Sequence, residues 1–127
     1  MPSHLDRGLR GETAAREMLM AKGLRFLAAN FRDGRGEIDL IFGDGDCLVF
    51  VEVKTRNPKA WLRPAAAVNR AKKRLLSKTA LGYLRRLQRP AVRFRFDVVE
   101  VLMDDQAILE IRHLPNAFPL DSRRRYG

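Results

Sequence analysis

The sequence predicts an α/β fold with a central mixed β-sheet flanked by helices, in the order α-β-β-β-α-β-β. Apolar residues recur at helical spacing near the N-terminus and again over 69–87. Alternating or Val-rich segments bounded by turn residues lie between these helices and after the second one. No repeat or linker interrupts the 127 residues, so we expect a single domain, 1–127, with its core at about 5–113.

The first half of the chain predicts one helix and three strands. The helix covers 5–22 and ends at Gly23, because glycine favours the backbone conformation that terminates helices. Turns at Asp33-Gly34-Arg35-Gly36 and Gly43-Asp44-Gly45-Asp46 separate the strands. The three predicted strands cover 25–31, 37–42 and 47–55.

The second half predicts one more helix and two strands. An irregular basic connection over 56–63 leads to a helix over 69–87, with Asn69 as its N-cap and Pro90 beyond its end. The strands cover 93–102 and 107–113. We expect the last residues, 114–127, to form a loose tail.

The composition is strongly basic. The 127 residues include 25 Lys or Arg and 15 Asp or Glu, which gives a net charge of +10. Such a domain usually binds a polyanion, most often nucleic acid. No apolar run could span a bilayer and no signal peptide is visible, so no membrane partner is expected. Cys47 is the only cysteine, which excludes an intrachain disulfide and fits a cytoplasmic location.

The positive charge is concentrated in one segment. Residues 53–96 contain fourteen Lys or Arg and no Asp or Glu. A solvated basic helix would explain part of this pattern. The length of the segment, which begins directly after the acidic strands, favours contact with phosphates. The residues proposed to bind nucleic acid are Arg56, Lys72, Lys73 and Arg74.

Acidic residues interrupt two otherwise apolar strands. Because strand side chains alternate, Glu37 and Asp39 share one face, as do Glu52 and Lys54 on the next strand. The hairpin between the strands would bring Asp39, Glu52 and Lys54 together. Buried charges are costly unless they are paired or bind a metal. Carboxylate oxygens suit Mg²⁺ or Mn²⁺, and such a site would support phosphodiester hydrolysis.

Three further residues fit this catalytic interpretation, each with an alternative. Lys54 would orient or deprotonate the attacking water, but could form a surface ion pair with Glu52. Glu12 faces inward from the first helix and could add a ligand, or could pair with Arg16 at i, i+4. Lys72 could contact a phosphate, or could extend its ammonium to solvent from an apolar stripe.

The same residues resemble a known family. The strings that carry the resemblance are Gly11-Glu12-Thr13-Ala14-Ala15, Gly36-Glu37-Ile38-Asp39-Leu40-Ile41, Val49-Phe50-Val51-Glu52-Val53-Lys54-Thr55-Arg56 and Arg95-Phe96-Asp97-Val98-Val99. They are similar to the bacterial YraN family of predicted endonucleases, which are similar to archaeal Holliday-junction resolvases. Asp39 followed by Glu52-Val53-Lys54 also resembles the signature of the restriction-endonuclease-like superfamily.

The resemblance implies a restriction-endonuclease-like fold with its metal site on the central hairpin. It implies Asp39 and Glu52 as metal ligands, with the Val53 carbonyl facing the metal. It also implies Lys54 as the catalytic lysine and Glu12 as the helix-borne acid. Related nucleases often dimerise, so a homodimer is an expectation of the same kind.

Two functional hypotheses follow. The first is a Mg²⁺- or Mn²⁺-dependent DNA endonuclease, with selectivity for branched or junction DNA as its finer form. The second is a non-catalytic nucleic-acid-binding module on a nuclease fold. The intact set of Asp39, Glu52 and Lys54 favours the first hypothesis.

Overall fold

The computed structural model describes residues 4–58, 68–88 and 92–121. The strands form one five-stranded sheet in the order β1-β2-β3-β4-β5. β3 and β4 pair in parallel, and the other neighbouring strands pair antiparallel. The predicted fold class and element order are therefore confirmed. The elements are α1 His4–Ala21, β1 Arg25–Asp33, β2 Gly36–Asp44, β3 Cys47–Arg56, α2 Arg70–Leu87, β4 Arg93–Met103 and β5 Ile108–Phe118.

Most element boundaries agree with the sequence prediction to within two residues. The β2–β3 loop is shorter than expected, because Asp44 pairs with Cys47 and leaves only Gly45 and Asp46 in the turn. The predicted connection around Trp61 and Pro64 and the stop at Pro90 lie outside the described residues. Among the residues that the structure describes, no helix is long and apolar enough to cross a membrane.

The expectation of a loose tail from residue 114 onward is wrong for residues 114–118. These residues continue β5, and Leu114 pairs with Val98. Phe118 is buried, and its ring stacks on Phe96 with centroids 4.9 Å apart. The pattern was hard to recognise because Pro115 and Asn116 normally indicate a loop. Asn116 does adopt a positive φ of 51°, and β5 nevertheless continues to Phe118.

Each helix covers one face of the sheet with its own apolar cluster. Ala15 and Leu19 of α1 pack with residues of β2, β3 and β4 that include Val51. Leu76 and Ala80 of α2 pack on the opposite face with residues such as Phe50, Phe96 and Phe118. Because adjacent strand residues point to opposite faces, Glu52 of β3 lies on the α2 side.

The connection from β3 through α2 to the parallel strand β4 forms a βαβ unit. Asn69 caps α2 as predicted, since its Oδ1 accepts a hydrogen bond from the Lys72 backbone N–H at 2.8 Å. The first turn of α2 lies next to the carboxyl-terminal half of β3, where Lys72 pairs with Glu52. The fold thus brings the acidic strand and the basic helix together.

The β1–β2 turn rests on α2 through glycine. A Cβ at Gly36 would overlap the Thr79 hydroxyl and lie 3.1 Å from the Thr79 Cβ. The hydroxyl is held in place because it donates a hydrogen bond to the Leu75 carbonyl at 2.7 Å. Glycine at this position therefore allows the β1–β2 hairpin to contact the helix directly.

We expect Gly36→Ala to lower the free energy of unfolding by about 1–3 kcal/mol, as overpacking does in protein cores. Urea denaturation measures the change. Gly8→Ala is the matched control, because its Cβ would meet no heavy atom within 4 Å. The double variant Gly36→Ala, Thr79→Ala should lose less free energy of unfolding than the sum of the losses in the two single variants. Strict additivity would contradict the proposed contact.

Candidate active site

Asp39 lies where β2 and β3 separate. The β2–β3 ladder runs from Asp44–Cys47 to Leu40–Val51 and ends there. At the next position the Val53 backbone N–H donates a hydrogen bond to Asp39 Oδ2 at 2.7 Å. A carboxylate therefore accepts a bond that a strand carbonyl would otherwise accept. This bond fixes the orientation of the Asp39 side chain beside β3.

The strand is irregular at this point, which simple alternation did not predict. Ile38 packs in the α2-side cluster, whereas Leu40 packs in the α1-side cluster. Residues two apart in a regular strand face the same side. On β1, Asn30 lies opposite Asp39 and has a positive φ of 53°. The departure from a regular strand gives Asp39 its approach to Glu52.

Asp39 and Glu52 form an acid pair. Glu52 is only 6% exposed, and a hydrogen bond joins its carboxyl group to that of Asp39. Burial, followed by the charge of Glu52, raises the pKa of Asp39 to about 7. The charge of Glu12 acts in the same direction, while the hydrogen bond from Val53 opposes the rise. Two adjacent acids of this kind are unfavourable when both are ionised, and a cation would relieve the repulsion.

Lys72 contacts the acid pair from α2. Its Nζ lies 3.4 Å from Glu52 Oε2, and its side chain is 42% exposed. The Lys72 ammonium is therefore not extended to solvent alone, because it also pairs with the buried carboxylate of Glu52. Because Asn69 fixes the first turn of α2, it also fixes the origin of the Lys72 side chain.

An asparagine that sequence reasoning missed joins Glu12 of α1 to Glu37 of β2. Asn30 Nδ2 donates to Glu12 Oε1 at 3.3 Å and to Glu37 Oε2 at 3.1 Å. The alternative pairing of Glu12 with Arg16 is not observed, because the Arg16 guanidinium lies over the Phe26 ring. No motif marked Asn30, whose role depends on the contact between α1 and β1.

Lys54 is half-buried two residues after Glu52. Among the described residues it forms no ion pair within 4.0 Å, so the alternative ion pair with Glu52 is absent. Its role as a catalytic lysine stays a prediction. The structure thus places Asp39 beside Glu52, with Lys72 on Glu52 and Glu12 nearby, and no acid among the described residues lies within 4.0 Å of the Lys54 amine.

Glu100 is a buried acid that the sequence analysis did not identify. It is 1% exposed and pairs in register with Lys54 across the parallel strands β3 and β4. Its Oε2 lies 2.9 Å from Arg56 Nε. The guanidinium predicted to bind nucleic acid is therefore engaged by a buried carboxylate. The available signal was an acid in the otherwise apolar run of residues 98–103.

The other two cations predicted to bind nucleic acid lie on α2. Lys73 Nζ lies 5.5 Å from the centroid of the Phe118 ring, in a cation–π arrangement. Arg74 is exposed. Their contact with nucleic acid stays a prediction.

The acid pair suits a hard divalent cation. Its donors are carboxylate oxygens, which Mg²⁺ and Mn²⁺ prefer, and Mg²⁺ is commonly bound through one or two carboxylates plus water and phosphate. Within 4–58, 68–88 and 92–121, no group of three or more His, Cys, Asp or Glu side chains is arranged to hold a metal. Asp39 and Glu52 would therefore bind the ion together with solvent or substrate oxygens. The predicted contribution of the Val53 carbonyl is not tested by the geometry.

The raised pKa of Asp39 has a consequence for the stability of the metal-free protein. Asp39 has a pKa of about 7 when folded and an ordinary value of 3.8, so between these values the folded state binds more protons than the unfolded state. Stability should therefore fall as pH rises from about 4 to 7. We expect Asp39→Asn to remove this loss and to be about 2 kcal/mol more stable than wild type at pH 8.

Urea denaturation at pH 5 and pH 8 in chelator measures this effect. The advantage of Asp39→Asn over wild type should grow with pH, because other titrating groups are common to both proteins. If the difference in free energy of unfolding were equal at the two pH values, ionisation of Asp39 would not be the cause of the destabilisation.

Comparison with known proteins identifies the family. The sequence profile of the Uncharacterised protein family UPF0102 matches residues 11–101. The chain belongs to this family. The match to the YraN family inferred from the sequence is thereby confirmed. The matched segment includes Glu12, Asp39, Glu52 and Lys54.

Relatives of similar length support the assignment. A UPF0102 protein of Symbiobacterium thermophilum is 49% identical over 111 residues, which cover 87% of this chain and 94% of the relative. A UPF0102 protein of Chlorobaculum tepidum is 43% identical over 116 residues, which cover 87% of this chain and 90% of the relative. A UPF0102 protein of Rhodococcus opacus is 39% identical over 118 residues, which cover 93% of this chain and 100% of the relative.

Proposed function

We propose that this UPF0102 protein is a divalent-metal-dependent endonuclease that hydrolyses phosphodiester bonds in DNA. The observation that carries the proposal is the acid pair of Asp39 and Glu52 where β2 and β3 separate, in which Glu52 is buried and the pKa of Asp39 is raised by burial and by the charge of Glu52. Lys72 contacts this pair, and Lys54 follows it on the same strand. Such costly placement of charge is typical of functional sites.

The roles of the residues follow from their positions. Asp39, oriented by the Val53 N–H, and Glu52 would hold Mg²⁺ or Mn²⁺. The bound metal would supply a Lewis acid that activates water and stabilises charge on the transferring phosphate. Lys54 would orient the attacking water and offset the developing negative charge. Lys72 would exchange its contact with Glu52 for a phosphate oxygen of the substrate.

The basic segment supports a nucleic-acid substrate. Fourteen cations without an acid lie between residues 53 and 96, and α2 carries many of them beside the acid pair. We propose DNA as the substrate, and branched or junction DNA as the more specific substrate. Phosphate contacts of this kind provide affinity without reading the base sequence.

Cleavage of junction, single-stranded and duplex DNA with Mg²⁺ or Mn²⁺ tests the proposal. Wild-type protein should nick at least one substrate, and chelator should stop the reaction. Lys54→Ala should lower the single-turnover rate by about 10²-fold, as removal of a general acid–base group does. DNA binding should be unchanged. Equal cleavage by wild type and Lys54→Ala would remove Lys54 from the mechanism.

One observation favours the alternative of a non-catalytic nucleic-acid-binding module. Within the described residues no three-donor metal group exists before substrate binds. Calorimetric titration with Mn²⁺, with and without DNA, separates the two functions. Metal binding that disappears in Asp39→Asn supports the nuclease. DNA binding without any metal binding supports the module.

A further inference from the structure

A basic groove lies between the β1–β2 turn and α2. One part of it is a cavity of about 420 Å³ lined by Asp33, Arg35, Lys78 and Arg85, among others. A second part, of about 350 Å³, is lined by Arg35, Arg74 and Lys78. The two parts share Arg35, Leu75 and Lys78, so they form one continuous surface, which we term the hairpin groove.

The walls of the hairpin groove are held by close backbone contacts. The turn residue Gly36 lies against Thr79, and Gly82 of α2 leaves room for the Asp33 carboxylate. Phe31 also packs edge-on against Tyr83, with ring centroids 5.0 Å apart. These three contacts therefore set the distance between the hairpin and the helix.

The charges of the hairpin groove are unbalanced. Asp33 is the only acid among its lining residues, and it pairs with Arg85 and Arg86 at 3.7 and 3.9 Å. Among the described residues, the three remaining cations of the groove form no ion pair within 4.0 Å. These cations are Arg35, Arg74 and Lys78.

Some of the cations elsewhere in the described chain are matched to acids, and others, such as Lys54, are not. Arg93 lies 3.8 Å from Asp46, and Arg95 lies 3.0 Å from both Asp97 and Asp44. Arg74 and Lys78 are instead separated by four residues of α2, so like charges face each other across one helical turn. Such pairs destabilise a helix. An anion bound in the groove would offset this repulsion.

The hairpin groove adjoins the acid pair. Lys72, which contacts Glu52, lies three residues before Leu75 on α2, and Leu75 lines both parts of the groove. Arg74 and Lys78 are about 6 Å apart along the helix axis, a spacing that can accompany neighbouring phosphates of one strand. The described charged side chains that line the two cavities are mainly cationic, which suits phosphate rather than base contact.

We propose that the hairpin groove binds the phosphate backbone of DNA on one side of the bond to be cleaved, through Arg35, Arg74 and Lys78. This inference extends the proposed function by defining the path of the substrate. It adds Arg35, which lies outside the basic segment, and Lys78, which lies within it, to the four cations proposed from the sequence to bind nucleic acid. Recognition at this surface is electrostatic and independent of base sequence.

The test compares two triple variants in an Asp39→Asn parent, which prevents cleavage during binding. The groove triple is Arg35→Gln, Arg74→Gln and Lys78→Gln. The matched control removes the same charge elsewhere, as Arg10→Gln, Arg16→Gln and Arg112→Gln. Fluorescence anisotropy of a labelled DNA duplex over a salt series gives the affinity and its salt slope. Circular dichroism establishes that both triples are folded.

The groove triple should flatten the slope of log K against log salt by about 2 to 3, since each lost phosphate contact contributes about 0.9. The control triple should change it by much less. Equal losses in the two triples, or no loss in the groove triple, would overturn the assignment. Tighter binding of an RNA duplex than of DNA would overturn the choice of DNA. Cleavage by wild type is scored separately, so a failed nuclease proposal remains distinguishable from a failed groove.

Discussion

Asp39→Asn should abolish metal-dependent DNA cleavage, lowering the single-turnover rate by about 10³-fold or more. Asparagine keeps the size of the side chain, and its carbonyl oxygen can still accept the hydrogen bond from Val53. It loses the negative charge that would hold a divalent cation against Glu52. The change therefore removes metal affinity while it preserves the local structure.

Two controls separate loss of chemistry from loss of fold. Glu37→Gln alters an acid two residues away on β2 that bonds to Asn30 and Arg32 outside the acid pair, so cleavage should be largely retained. Asp39→Asn should also be more stable than wild type in the absence of metal, because the acid pair is repulsive. Normal cleavage by a well-folded Asp39→Asn protein would exclude Asp39 from the site.

Asp97→Ala should lower the free energy of unfolding by about 3–5 kcal/mol, as the loss of one member of a buried ion pair does. Asp97 is fully buried and accepts hydrogen bonds from Arg95 Nε at 3.0 Å and the Asn116 N–H at 2.9 Å. His113 Nε2 lies 2.7 Å from its other oxygen, and Lys22 Nζ lies 2.9 Å from His113 Nδ1. The aspartate thus joins β4, β5 and the end of α1.

Chemical denaturation measures this loss, and Asp46→Ala is the control. Asp46 is 84% exposed and lies 3.8 Å from Arg93, so its removal should change stability by less than about 0.5 kcal/mol. The loss of stability in Asp97→Asn should lie between those of Asp97→Ala and Asp46→Ala, because an amide retains one acceptor oxygen. A loss below about 1 kcal/mol for Asp97→Ala would contradict the structural importance of this network.

The sequence was sufficient to predict the fold because local signals agreed with one another. Helical periodicity, the Asn69 cap and the Gly-Asp hairpin specified elements whose bounds the structure reproduces closely. β5 was underestimated because Pro115 and Asn116 resemble loop residues, while the burial of Phe118 depends on its distant partner Phe96. Long-range packing of this kind is not encoded in a local pattern.

The candidate site was predicted in part, and the reason is again physical. Alternation and the hairpin indicated that Asp39 would approach Glu52, but not that β2 would become irregular to achieve it. Asn30 and Glu100 were missed because their partners lie on other elements. His113, which no motif marked, lies within hydrogen-bond distance of Asp97 and Lys22.

The location of Mn²⁺ in crystals soaked with that ion shows whether Asp39 and Glu52 form a metal site, since anomalous scattering identifies the metal without reference to activity. We expect a peak between the carboxylates of Asp39 and Glu52, about 2.1 Å from an oxygen of each. The peak should be absent from crystals of Asp39→Asn. Ordered Mn²⁺ elsewhere in the wild-type crystal, with none between these two carboxylates, would contradict the proposal that they form a metal site.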